Sequence, residues 1–207
     1  MRKIIFTCCL LFLLLTILEI GITYGLFETN KLITVDNNIA KWQIKVNDSV
    51  INNTNQKFNV TSFIVEEDSN VASGKFAPSS RGYFDIVIDP NETGVAFRYD
   101  VTFDWTKLSN MQIKILDIEA IGGNSLTLSN KDTYSGIMLL EDIQDEVTHT
   151  IRVNLEWNND EDNNLTDSEY GLNITKKILI PVTIKFTQYL GDTIEVYTGN
   201  VYTNGTY

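Results

Sequence analysis

Apolar and polar residues alternate along most of the chain that follows residue 38. Segment 39–46 shows the pattern clearly, because Ile, Ala, Trp, Ile and Val are interleaved with Lys and Gln. Successive side chains of a strand point to opposite faces, so this period of two predicts strands with one buried face. The same pattern predicts further strands at 58–65, 82–88, 95–105, 111–120, 134–140, 147–157 and 178–189.

Turn-forming residues separate the predicted strands. Asn, Gly, Pro, Ser and Asp dominate the connections, and these residues favour turns and loops. At least eight strands of uneven spacing, with no long helical pattern, predict an all-β fold. We expect an antiparallel two-sheet sandwich, jelly-roll-like, in a single domain over 39–190, followed by a C-terminal strand and polar tail over 191–207. The connections are 52–55, 77–80, 89–94, 122–124 and 158–169.

Pro181 lies inside the predicted strand 178–189. Proline has no backbone N–H and therefore removes one hydrogen bond from a strand ladder. We expect this strand to lie at a sheet edge or to carry a bulge at Pro181.

The N-terminus has the pattern of a secretory signal peptide over residues 1–25. Arg2 and Lys3 precede an apolar run at 4–18 that contains both cysteines of the chain. The run is shorter than the roughly 20 residues that span a bilayer, so we expect cleavage and no stable membrane span afterwards. Small residues before the junction place the cut between Gly25 and Leu26, which predicts a secreted protein located in the extracellular matrix or at the cell surface.

The chain is strongly acidic, with 16 basic and 27 acidic side chains and a formal net charge of −11. This charge repels the phosphates of nucleic acids and anionic lipid headgroups, so we expect no nucleic-acid partner. At 207 residues and 43% hydrophobic composition, the chain is large enough to bury a core without a metal or a cross-link.

The sequence offers little for catalysis. His149 is the one histidine of the chain, and neither His-Glu-x-x-His nor Gly-x-Ser-x-Gly occurs. A catalytic zinc site commonly uses several histidines, and a serine nucleophile needs a neighbouring base. We therefore predict a non-catalytic protein in which His149 is a partly exposed strand residue, with no catalytic residues and no certain cofactor.

One acidic segment, 158–169, has the spacing of a calcium loop. Oxygen-bearing side chains occupy loop positions 1, 3, 5 and 12 as Asn158, Asp160, Asp162 and Glu169. The segment departs from the pattern in having no flanking helices and no glycine at the sixth position. Two readings remain open: a calcium site, which would be the one possible cofactor, and a solvated hairpin loop.

Four segments carry a resemblance to a known family. Segment 21–28 is rich in glycine and aromatic residues, 39–42 opens the first predicted strand, 75–86 reads Lys-Phe-Ala-Pro-Ser-Ser-Arg-Gly-Tyr-Phe-Asp-Ile, and 151–157 precedes the acidic segment. Together they resemble the TasA/camelysin-type secreted proteins of Gram-positive bacteria, which a SipW-type signal peptidase processes. Ser79 stands where that family commonly has glycine.

The resemblance implies a jelly-roll-like sandwich exported to the cell surface, whose relatives assemble into biofilm matrix fibres. It therefore favours a structural subunit of an extracellular fibre, with copies of itself or a related matrix subunit as partners and a SipW-type peptidase as partner during export. Two alternatives stay open: a cell-surface binding module that uses calcium, and a camelysin-like metallo-endopeptidase, since some relatives are catalogued as such.

Residues 26–38 are predicted to form a mobile N-terminal segment once the signal peptide is removed. Their apolar side chains can act as an assembly strand that adds to a sheet edge of another subunit. The alternative is that they pair within their own domain as a first strand. The assembly residues are Leu26, Phe27, Leu32, Ile33 and Val35.

Overall fold

The computed structural model describes residues 2–28, 40–51, 54–68, 70–108, 112–160, 162, 164–172 and 178–200. The chain divides into two compact units, Met1–Ile39 and Ala40–Tyr207. The first unit contains helix α1 (Arg2–Glu28), so Gly25 and Leu26 lie in helical backbone. Among the described helices, none meets the combined length and hydropathy expected of a bilayer span.

The second unit has eleven strands among its described residues, and they form two antiparallel sheets. The strands are β1 (Ile44–Val46), β2 (Ser49–Ile51), β3 (Asn55–Val60), β4 (Ile64–Val65), β5 (Arg81–Asp89), β6 (Phe97–Phe103), β7 (Ile113–Ile121), β8 (Thr127–Asn130), β9 (Thr133–Met138), β10 (His149–Trp157) and β11 (Ile180–Gln188). Sheet A has the order β2-β1-β5-β10-β7, with β4 also paired to β5, and sheet B has the order β3-β11-β6-β9-β8. This arrangement confirms the predicted antiparallel two-sheet sandwich.

The core lies between the two sheets and follows directly from the alternation in sequence. Every second residue of β10, from His149 to Trp157, is buried, and β5 shows the same alternation. Rings from opposite sheets meet in the core, as Phe84 and Phe103 do at a centroid distance of 6.4 Å. Each large apolar side chain buried in this way contributes about 1.5–3 kcal/mol, which makes the interface between the sheets the main source of stability.

The hairpin between β1 and β2 shows how turn chemistry sets the register. Val46 pairs with Ser49, so the loop has two residues. These are Asn47 and Asp48, with φ angles of 46° and 63°. Two successive positive φ angles are typical of a type I′ turn, and Asn and Asp adopt them more readily than other non-glycine residues.

Several predicted elements differ from the observed ones because local pattern does not report where a strand changes sheets. The predicted strand 58–65 is two strands, β3 and β4, and the residues between them pass from sheet B to sheet A. Strands β2 and β8 were not predicted. The predicted C-terminal strand is absent from the described part of 191–207, where residues 191–200 are irregular, although the backbone N–H of Tyr197 donates to the carbonyl of Leu128 at 2.8 Å.

Two short helices were not predicted: the first begins at the end of the predicted strand 134–140, and the second lies in the acidic segment that was predicted as a loop. Helix α2 (Leu140–Gln144) joins β9 to β10, and helix α3 (Asn164–Leu172) occupies the second half of the acidic segment. In α2 the carboxylate of Asp142 accepts a hydrogen bond from the backbone N–H of Leu139 at 2.9 Å. This contact satisfies one of the free donors at the helix N-terminus.

The prediction for Pro181 is wrong, because β11 is an interior strand between β3 and β6 and its ladder with β3 shows no bulge. The ladder with β6 begins only at Val182, opposite Phe103. Beyond it, the N–H of Asp104 donates to the carbonyl of Pro181 at 2.9 Å. Since the N and O atoms of a strand residue point to the same side, the missing N–H faces the end of β6, where no ladder bond is lost.

Candidate functional site

A groove of about 410 Å³ lies where the edges of the two sheets meet. The edge strand β3, the connection to β4, and β5 form its walls, and the aromatic side chains of Phe58, Phe63 and Phe84 line it. Among described residues, β3 has a ladder partner only on its β11 side. The groove therefore combines an unpaired strand edge with apolar surface, the two features that strand addition requires.

The position of the groove depends on close backbone contact between β4 and β5. Val65 pairs with Gly82, and a Cβ at position 82 would lie 2.7 Å from the carbonyl oxygen of Ile64. Only glycine allows this approach. The ring of Phe63 packs edge-on against the ring of Phe76, with their centroids 5.0 Å apart. The centroid of the Phe76 ring lies 5.8 Å from that of Trp157.

The Ala77–Ser80 turn, which carried much of the family resemblance, fixes the start of β5. The N–H of Ser80 donates to the carbonyl of Ala77 at 2.9 Å, and Ser79 has a φ of 72°. Proline followed by a residue with positive φ is typical of a type II turn, which favours glycine at that second position. Ser79 therefore occupies a position with glycine geometry, and its N–H donates to the carbonyl of Trp157 at 2.8 Å.

The predicted calcium residues are distributed along an irregular stretch and helix α3. Asn158 is tied by its N–H to the carbonyl of Gln112 at 2.9 Å, and the N–H of Asp162 approaches Oδ1 of Asp160 at 3.3 Å. Glu169 lies in α3. Within the described part of the chain, no three His, Cys, Asp or Glu side chains are grouped so that they could hold a metal ion. Calcium binding by this segment stays a prediction.

Asp167 is the residue of this segment that the sequence analysis missed. Its side chain is buried, and Oδ1 accepts a hydrogen bond from the indole Nε1–H of Trp157 at 3.0 Å. This bond fastens α3 to the end of β10. A buried indole N–H usually has a hydrogen-bond acceptor. Trp157 directly precedes the acidic segment, so its position indicated that one of the carboxylates there accepts this hydrogen bond.

A polar cluster in the core joins the two sheets. His149 is only 4% exposed, which corrects the expectation of a partly exposed strand residue. Its Nδ1 lies 3.1 Å from the hydroxyl of Tyr99 in sheet B, and its Nε2 lies 4.0 Å from Oδ2 of Asp142 in α2. The reason for burial is register, because His149 shares the inward face of β10 with Ile151 and Val153.

Burial sets the protonation of this cluster. It raises the pKa of Tyr99 to about 12 and lowers the pKa of His149 below its ordinary value, while the Asp142 carboxylate acts on His149 in the opposite direction. Both groups are therefore neutral near pH 7. We assign the Tyr99 hydroxyl as donor to Nδ1, which leaves the imidazole proton on Nε2, facing Asp142.

The predicted cleavage and assembly residues belong to the first unit. Gly25, Leu26 and Phe27 lie in α1, whereas Leu32, Ile33 and Val35 lie outside the described residues. Their predicted roles concern the chain after cleavage and stay predictions.

Comparison of the chain with protein-family models, with curated proteins and with solved structures finds no match in any of the three. The resemblance to TasA/camelysin-type proteins therefore remains an expectation based on the four segments.

Proposed function

We propose that this protein is a secreted structural subunit of an extracellular fibre or biofilm matrix, non-catalytic, that joins copies of itself or a related subunit by strand addition. The observation that carries the proposal is the groove beside β3, because it places an unpaired strand edge next to an apolar surface. Exposed edges of this kind recruit further strands unless they are covered or charged.

The incoming strand is the segment that follows the signal peptide. Main-chain hydrogen bonds to β3 would hold this segment as a strand, in which successive side chains point to opposite faces. One set of its apolar side chains would then enter the groove; the apolar residues are Leu26, Phe27, Leu32, Ile33 and Val35. Each side chain that becomes fully buried would contribute about 1.5–3 kcal/mol, so a few anchors offset much of the ordering free energy of association.

The acidic charge of the subunit opposes this association. Copies with a net charge of −11 for the full chain repel each other, and salt screens that repulsion over about 10 Å at 0.1 M ionic strength. Assembly should therefore increase with ionic strength. At low salt and low protein concentration, the subunits should stay monomeric.

The test compares filament formation by negative-stain microscopy in three variants of the processed chain. The first lacks residues 26–35. The second, Ile64→Lys, places a charge at the groove, where Ile64 is 57% exposed. The third, Leu116→Lys, is the matched control on β7 at the other edge of sheet A, where Leu116 is 44% exposed.

Loss of filaments in the first two variants, with an unchanged melting temperature and with normal filaments in Leu116→Lys, supports strand addition at the groove. Normal filaments in the deletion variant contradict the role of the segment. If Leu116→Lys alone abolishes filaments, assembly uses the β7 edge, and the assignment to the groove is wrong. A processed wild-type chain that stays monomeric at high concentration and high salt overturns the function itself.

A further inference from the structure

Strand β5 has a gap in its ladder on the side that faces the groove. On its other side it pairs with β10 along nearly all of its length. On the groove side, β4 pairs with it as far as Tyr83, and β1 pairs with it only from Ile88 onwards. Residues 84–87 therefore have no ladder partner on this side among the described strands, and Asp85 lines the groove.

The side chain of Asn47 occupies this gap in place of a strand. Asn47 is the first residue of the β1–β2 turn, and its backbone N–H donates to the carbonyl of Val87 at 2.9 Å. Because the chain turns away at this point, the N–H of Val87 donates to the side-chain Oδ1 of Asn47, at 2.7 Å. The Nδ2 of Asn47 donates to the carbonyl of Asp85 at 3.3 Å. A carboxamide offers the same acceptor and donor as a peptide group, so it bonds where a continuing strand would.

The backbone groups that Asn47 covers are those to which an added strand bonds. They are a donor at Val87 and an acceptor at Asp85, two residues apart, and they face the same side of β5. An extended polypeptide recognises this pattern by its main chain, independently of its side chains. Asn47 is exposed and lines the groove. Its side chain can therefore leave the gap by a change of rotamer, without opening the core.

We propose that Asn47 is a gate for strand addition: its carboxamide covers the β5 wall of the groove until an extended segment of another copy displaces it and bonds to Asp85 and Val87. This inference rests on the proposed strand addition and adds β5 to β3 as a main-chain acceptor. The occupant is the segment over 26–35 of that copy, because the groove that it is proposed to enter is the one that Asn47 lines.

The test uses the processed chain at low salt, where the subunits should be monomeric, and a fluorescent peptide with the sequence of residues 26–35. Asn47→Gly removes the carboxamide, and glycine readily adopts the φ of 46° found there. Fluorescence anisotropy should show that this variant binds the peptide about tenfold more tightly than the wild type, because two hydrogen bonds no longer compete with the peptide.

Asp48→Gly is the matched control. Asp48 lies in the same turn with a φ of 63°, and its side chain does not line the groove. The peptide contains one acidic and one basic side chain, so its affinity should depend little on the charge that is removed with Asp48. This variant should bind as the wild type does. Equal tightening in both glycine variants would assign the effect to the turn and overturn the gate.

Hydrogen exchange at the Val87 amide gives a readout that does not depend on affinity. In free Asn47→Gly, this amide should exchange at least about tenfold faster than in the wild type, because its acceptor is gone, and bound peptide should restore the protection. Equal affinity in wild type and Asn47→Gly, or bound peptide that leaves the Val87 amide unprotected, overturns the gate but leaves strand addition along β3 intact. Absence of peptide binding in all three proteins overturns strand addition by this segment, and the gate with it.

Discussion

The phenol ring of Tyr99 occupies the space that a side chain at Gly136 would need. The two residues are directly opposed in the ladder between β6 and β9, and a Cβ at position 136 would overlap the ring. Because glycine leaves this space free, Tyr99 is fully buried, and its hydroxyl reaches His149 of the other sheet. A cross-strand pair in sheet B thus positions a hydrogen bond between the sheets.

Gly136→Ala should destabilise the protein by about 1–3 kcal/mol, because the added methyl forces Tyr99 away from its position in a closely packed core. Chemical denaturation measures the free energy of unfolding. Gly171→Ala in α3 is the control: a Cβ there meets nothing within 4 Å, so this variant should be stabilised by about 0.5–1 kcal/mol through helix propensity. Equal stability of Gly136→Ala and wild type would contradict the packing described for Tyr99.

Stability should decrease as the pH falls below about 6.5, the ordinary pKa of histidine. Burial lowers the pKa of His149 in the folded state, so between the two pKa values the unfolded chain binds more protons, and acidification favours unfolding. His149→Asn keeps a polar group near Tyr99 but does not titrate. Between about pH 7 and about pH 5, the melting temperature of the variant should therefore fall less than that of the wild type. An equal fall in both proteins would show that His149 does not contribute to the pH dependence.

Ser79→Gly should stabilise the protein by about 0.5–1 kcal/mol, because it removes the strain of a left-handed serine and this gain exceeds the added entropy of the unfolded chain. The control, Ser73→Gly, lies in the same connection at a residue without positive φ and should be neutral or destabilising. Thermal denaturation of both variants checks this. A lower melting temperature for Ser79→Gly would mean that the serine side chain makes a stabilising contact.

Asp167→Ala should lower stability by about 1–2 kcal/mol, because it removes the acceptor that Trp157 Nε1 uses to hold helix α3. Asp167→Asn retains an acceptor oxygen and should lose less. Glu169→Ala, an exposed position of the same helix, is the control and should change stability by less than about 0.5 kcal/mol. Urea denaturation separates the three, and the same loss in Glu169→Ala as in Asp167→Ala would rule out a special role for the buried carboxylate.

The strands could be predicted because the alternation of apolar and polar side chains is visible within a few consecutive residues. Alternation along segments such as 82–88 and 147–157 reports the two faces of a strand directly, and β5 and β10 match those segments to within about two residues. The acidic segment shows the limit of this information. Its Asn and Asp residues favour turns, yet α3 forms there with Asp167 bonded to Trp157, a contact across ten residues.

The sequence by itself therefore determined the longer strands, the alternation of their buried faces and the sandwich class, because side-chain alternation is a local property. Only the tertiary structure decided which strands became neighbours and which polar side chains met. Pro181 is accommodated in an interior strand because β6 ends before reaching it. His149 lies on the inward face of β10, and Tyr99, 50 residues away, supplies the hydrogen-bond partner of its buried imidazole. Contacts of this separation depend on strand order and register, which no local pattern encodes.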